Sequence, residues 1–222
     1  MSSQTPTTPA AREPLSVERV LRAALALADA GGTHGLTMRG LGQELGVEAM
    51  SLYKHVANKD AILDGIVDLV VAEIALPAPD EDWRAAMRRR GIAAHQVLLR
   101  HPWACALLMS RPTVGPAMLN YVDSTLASLR RAGFTVAQAD HAANAMDSHI
   151  YGFTLQKLNS PFDPDQYAEA AATYLPQLPP GSYPHIVEMA TQVMAGEYDG
   201  VIDFTFGLDL TLNGLERLLR TP

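Results

Sequence analysis

The chain reads as an all-α protein: a small N-terminal helix-turn-helix unit of three helices, followed by a larger helical bundle. Three observations predict this. Apolar residues recur at helical spacing from Val17 almost to the C-terminus, with no competing strand alternation. Two short helical patterns flank a glycine turn between Thr37 and Val56. The 222 residues are 48% hydrophobic, ample for a buried core.

Residues 1–14, MSSQTPTTPAAREP, are rich in Ser, Thr, Gln and Pro and read as a disordered arm, because they bury too little apolar area to offset the entropy of ordering. Val17, Val20, Leu21, Ala24, Leu25 and Ala28 form one face of a first helix, with Ser16 as N-cap and Gly31-Gly32 as the stop. Thr37 caps a second helix with Met38, Leu41 and Leu45 inward, ended by Gly46 in the left-handed conformation. The third spans Ala49 to His55, with Ala49, Leu52 and Val56 inward and Met50, Ser51, Lys54 and His55 outward. Asn58 caps a fourth, whose inner face is Ile62, Leu63, Ile66, Val67, Val70 and Ile74, closed by Pro77-Ala78-Pro79. Further helical patterns cover 81–100, 102–109, 114–132, 135–158, 183–195 and 201–220. A proline-rich loop at 159–182 has room for a short helix at 165–174. The expected organisation is an arm at 1–14, a helix-turn-helix domain at 15–60, a linking helix at 61–76 and a helical domain at 77–222.

Net charge is −7, with the acidic excess in the later part: residues 1–60 hold six basic and six acidic side chains, residues 61–222 eleven and eighteen. No global basic field advertises nucleic acid, so binding to DNA would rest on geometry and a moderate salt dependence. The single cysteine, Cys105, cannot form an intrachain disulfide, and the opening stretch has no apolar signal-peptide region, so a cytoplasmic protein without membrane attachment is expected. Cys105 reads as an inert core thiol.

A helix-turn-helix fits an α-helix into the DNA major groove. Here only the outer face of 49–55 is free to meet bases. The stretch LTMRGLGQELGVEAMSLYKHVANKDAILDGI at 36–66 resembles the tetracycline-repressor (TetR) family of bacterial transcription regulators. HPWACALLMSRPTVGP, LASLRRAGFTVAQAD and FTFGLDLTLNGLERLL resemble the regulatory domain of the tetracycline-repressor subclass, so the likeness runs from about Ser16 to Leu219. It implies that Tyr53 and Lys59 touch phosphates and set register. It implies a base-reading role for Arg39, with Ser51, Lys54 and His55 on the reading face and Thr37, Ala49 and Met50 beside them. Where the tetracycline repressors carry Gln-Pro at the start of this helix, Ala49-Met50 stands here. Met50 offers only apolar contact to a thymine methyl, which disfavours a tetracycline-type operator.

For the larger domain the resemblance implies a homodimer formed through a four-helix bundle and an enclosed small-molecule effector of unknown identity. The bundle would be made by Met146, Ile150 and Phe153 with Leu208, Leu210, Leu212, Leu215, Leu218 and Leu219, residue types that would equally serve a monomer core. The magnesium-binding histidines of the subclass correspond to Ala75 and to Leu107 or Leu108, so no metal and no cofactor is expected. Arg90 falls near a pocket amide of that subclass, and Asp140, Asn144 and Asp147 make one polar stripe. Leu108, Met109, Met118, Tyr121 and Met189 would supply an adaptable apolar wall for a ligand with a fused-ring or elongated body.

His141 and His149 lie eight residues apart, offset by roughly 80° on a helical wheel, and do not make a metal pair. No nucleophile elbow, phosphate loop or cysteine cluster occurs, so an enzyme is not expected. The expectation is a ligand-responsive, DNA-binding regulator, a repressor released from a palindromic operator when a small molecule binds. The rival is a helical sequestering or catalytic protein whose first sixty residues merely pack.

Overall fold

The computed structural model describes residues 14–112, 114–163, 166–201 and 203–220. The N-terminal arm therefore lies, Pro14 apart, outside the described residues. Within them the chain is helical, without a strand. Contacts divide it into two compact units, residues 1–69 and 70–222, and the boundary falls inside the fourth helix.

The first unit holds α1 (Val17–Gly31), α2 (Met38–Leu45), α3 (Ala49–Leu52) and most of α4 (Lys59–Ala72). Its helix starts follow local capping chemistry. The Ser16 hydroxyl accepts from Arg19 N at 3.2 Å, Thr37 from Gly40 N at 3.0 Å and the Asn58 amide oxygen from Ala61 N at 2.8 Å. The core consists of Val20, Ala24, Ala28, Leu36, Leu41, Leu52, Ile62 and Ile66, each at most 2% exposed. Gly65 lets α4 close on α1, since a Cβ there would lie 2.6 Å from Leu21 Cδ2. The unit thus runs past residue 60, because Ile62, Leu63, Ile66 and Val67 complete its core.

The second unit comprises α5 (Trp83–Arg100), α6 (Pro102–Ser110), α7 (Pro116–Arg131), α8 (Val136–Leu158), α9 (Tyr167–Tyr174), α10 (Pro184–Ala195) and α11 (Phe204–Arg220). Helix α5 is central, packing on α6, α7, α8 and α11. It buries Ala86, Met87, Ala94, Val97 and Leu98, and Gly91 gives Leu208 of α11 its place. The α8 start carries a complete capping box between Thr135 and Gln138. Arg88 holds Asp209 through two hydrogen bonds of 2.9 and 3.3 Å, and Arg84 reaches Asn213 at 2.7 Å. These half-exposed pairs fix register more than they stabilise. Helices α9 and α10 pack on each other, joined through a 3-10 turn at Leu175–Gln177. No helix among the described residues is long and apolar enough to cross a membrane.

Candidate nucleic-acid interface and ligand site

The angle between α2 and α3 is set by backbone. Gly46 sits at φ 67°, ψ 36°; its N–H donates to Gln43 O at 3.2 Å, and the Val47 N–H donates to Gly42 O at 2.9 Å, together a Schellman motif. Gly42 itself permits the close approach: a Cβ there would stand 2.8 Å from Val47 O and 3.2 Å from Ala49 N. Gly42 is a functional position not expected from the sequence, where its only signal is that it stands four residues before the turn glycine.

Helix α3 is shorter than expected, ending at Leu52, with Tyr53–His55 in a turn. The cause is the Leu52 carbonyl, which accepts from both His55 N at 2.9 Å and Val56 N at 3.0 Å and tightens the coil toward 3-10 spacing. Around it, Met50 is 75% and Tyr53 47% exposed. Thr37, Arg39 and Lys54 are exposed, and Ala49, Ser51 and His55 half-buried. Lys59 is also half-buried, its ammonium donating to Thr33 O at 3.3 Å. Leu41 and Leu52 are fully buried beneath this surface. The result is an exposed mixed surface on a rigid turn, able to make hydrogen bonds, apolar contacts and ion pairs.

In the second unit the structure brings Arg90, Tyr121 and Asp147 together. The guanidinium is 1% exposed, donates from Nη2 to Asp147 Oδ1 at 2.7 Å, and lies 4.2 Å from the Tyr121 ring centroid. Burial pushes the phenol of Tyr121, and that of neighbouring Tyr151, well above the ordinary tyrosine range. Tyr151 was not anticipated, although it stands one turn beyond Asp147.

The expected polar stripe splits. Asp140 and Asn144 are exposed and bond to each other at 3.1 Å. Asp147 borders the buried face marked by Ala139, Met146 and Ile150, so its carboxylate reaches Arg90. Leu108 and Met118 are half-buried and Met109 is exposed. Met189 lines a different feature, an open apolar cleft of ≈ 430 Å³ lined also by Phe162, Tyr167, Tyr174, Leu178 and Tyr198.

Most residues expected at a subunit interface are protomer core instead. Met146, Ile150, Leu208 and Leu212 are 0% exposed and Leu215 7%. Phe153 joins an aromatic cluster with His95, His149 and Phe204, and Leu219 is half-buried. The physical reason is that α5 and α8 already cover this face of α11. The exposed face of α11 presents Leu210 and Leu218, two of the residues expected in the bundle, together with Phe206 and Gly214; that of α8 presents Ala145, Ser148 and Gly152. Among the described residues no group of three or more His, Cys, Asp or Glu side chains is placed to hold a metal ion.

Both units match known family models. Residues 20–66 match the bacterial regulatory proteins of the tetR family, and residues 76–219 match the tetracyclin repressor-like C-terminal domain. The chain belongs to the TetR family. It is 31% identical over 215 residues to the transcriptional repressor DrrR1 of Streptomyces coeruleorubidus, covering 92% of this chain and 78% of that one. It is 32% identical over 206 residues to the class D tetracycline repressor of Escherichia coli, covering 91% and 89%. The structure of apo ActR from Streptomyces coelicolor superposes with a TM-score of 0.79 at 26% identity, covering 95% of this chain and 99% of that one. ActR has also been solved in complex with actinorhodin. This TetR-family chain is a ligand-responsive, DNA-binding transcriptional regulator of the repressor kind.

Proposed function

We propose that this TetR-family repressor works in the cytoplasm as a homodimer, placing the two α3 turns in successive major grooves of a palindromic operator. The observation that carries the reading is the exposed surface of Met50, Tyr53 and Lys54 on a turn clamped by Gly42 and Gly46. Tyr53 and Lys59 hold phosphates; Arg39, Ser51, Lys54 and His55 face base edges, with Thr37, Ala49 and Met50 beside them. Half-site centres about 34–36 Å apart follow from twofold pairing.

The dimer face is the exposed side of α8 and α11. A Cβ at Gly152 or Gly214 would meet nothing within 4 Å, so the protomer has no packing need for either glycine. A glycine in an exposed helix costs about 1 kcal/mol relative to alanine. Close approach by a partner backbone, with Phe206, Leu210 and Leu218 covered, accounts for both glycines and for the exposed apolar side chains.

The effector binds in the second unit beside Arg90, Tyr121 and Asp147 and favours a conformation in which the two reading turns no longer match the operator. Operator DNA then weakens effector binding by the same factor. A mobility-shift assay over the chain's own upstream region tests the reading. Tyr53→Phe with Lys59→Ala weakens binding to every fragment and flattens its salt dependence, whereas Lys54→Ala changes sequence preference. Failure to retard any such fragment at low ionic strength, or a monomer in sedimentation, refutes it.

A further inference from the structure

The ion pair at the centre of the second unit has donors to spare. Arg90 uses Nη2 on Asp147, while its Nε and Nη1 are buried without a partner, and so is the hydroxyl of Tyr121 beneath it. Buried polar atoms left unmatched are costly, and a pair of apolar side chains would pack this position without that cost. Three such atoms in one cluster mark a place where an acceptor arrives from outside the fold. The pair opens toward solvent at its Asp147 end, where the carboxylate side chain is 25% exposed.

Charge decides what kind of acceptor. The guanidinium is balanced by the Asp147 carboxylate, and burial holds the phenols of Tyr121 and Tyr151 neutral. A carboxylate ligand would set a second anion beside Asp147 with no further cation in the cluster to meet it. An ammonium would add a like charge to Arg90 and bring donors where donors are already in excess. A neutral carbonyl oxygen supplies lone pairs and leaves the balance at zero. We infer that the effector is an uncharged molecule that presents carbonyl oxygen, as a ketone, quinone, lactone or amide, to Arg90 and the Tyr121 hydroxyl. This rests on the reading of the second unit as the effector domain.

Three tricyclic probes of one shape test it on the full chain by equilibrium dialysis: 9-fluorenone, fluorene, which lacks the oxygen, and 9-fluorenone-4-carboxylate, which adds a charge. Fluorenone is expected to bind about tenfold more tightly than either of the others, the difference one or two matched hydrogen bonds make. Tyr121→Phe keeps the ring and removes one donor; Arg90→Met with Asp147→Leu removes both charges together, so that neither is left buried alone. Each is expected to bring the fluorenone-to-fluorene ratio toward one, and Tyr121→Phe serves alone where the double variant loses its helical circular dichroism. Equal binding of fluorenone and fluorene, an undiminished ratio in the variants, or tightest binding by the carboxylate overturns the carbonyl assignment and leaves the effector domain standing. Binding by none of the three also overturns it. The effector-domain reading fails separately, if actinorhodin and a panel of other polycyclic compounds all leave the operator complex intact.

Discussion

Gly42→Ala sets two opposing effects against each other in the reading head. In an unobstructed helix the change stabilises by about 0.5–1 kcal/mol, because alanine loses less backbone entropy. At this position the new Cβ would stand 2.8 Å from Val47 O, 3.2 Å from Ala49 N and 3.3 Å from Ala49 Cα. All three are backbone atoms of the turn and of the first residue of α3, so no side-chain rotation relieves them. Overpacking of this kind costs about 1–3 kcal/mol, which outweighs the entropic gain and leaves a net loss of about 1 kcal/mol. Relief requires α3 to move outward by some tenths of an ångström. The protein's two tryptophans, Trp83 and Trp103, both lie in the second unit, so their fluorescence is blind to this change. Amide hydrogen exchange over residues 38–56 is the suitable assay, and faster exchange is expected. Affinity for the operator fragment should fall about tenfold, more than so small a loss of folded population explains. Gly31→Ala, where a Cβ meets nothing within 4 Å, is the control and should leave both readouts intact. Slower exchange together with unchanged DNA affinity in Gly42→Ala would show that the α2–α3 angle is not held by this contact.

The exposed glycines of α8 and α11 give the opposite pattern: Gly152→Ala and Gly214→Ala should each stabilise the helix by about 0.5–1 kcal/mol, yet raise the dimer dissociation constant in sedimentation. A tighter dimer refutes close backbone approach. His95 is buried against Thr154 and Phe204, and burial lowers its pKa from 6.5 to about 4. The unfolded chain therefore takes up the proton first, and the urea midpoint read by tryptophan fluorescence should fall as pH drops from about 6.5 to 4; His95→Phe should flatten that fall. Glu81, held at about 2 by Arg89, loses its contribution only below about 4.5, so the two windows separate. The Cys105 thiol is buried and pushed up to about 11, so at pH 8 a disulfide reagent should modify it only at the rate of unfolding. Immediate labelling of the native protein would contradict its placement.

The parts of this fold that were legible in sequence are those governed by chemistry local to a few residues. Thr37 and Gly46 bound α2 because a hydroxyl can reach the third backbone N–H and a glycine can turn left-handed, and the structure shows both. The shortening of α3 was not legible, because it depends on how the Leu52 carbonyl is shared between two donors, which no spacing rule contains. The stripe of Asp140, Asn144 and Asp147 shows the same limit. A helical wheel puts the three within a narrow arc, yet Asp147 borders the buried edge and meets a guanidinium from a segment 57 positions away.

Leucine periodicity in α11 marks a buried face without saying what buries it. Leu208, Leu212 and Leu215 are covered within the protomer, so their pattern was fully accounted for before any second subunit is considered. The residues that bear on pairing are those the protomer leaves unexplained: Phe206 at 67% exposure, Leu210 at 57%, and a glycine at 214 with open space where its side chain would be. An apolar residue that is exposed and a glycine that nothing crowds are both unfavourable in a solitary helix. Their coincidence on one face of α11, matched by Ala145, Ser148 and Gly152 on α8, is more informative about a missing partner than any count of buried leucines.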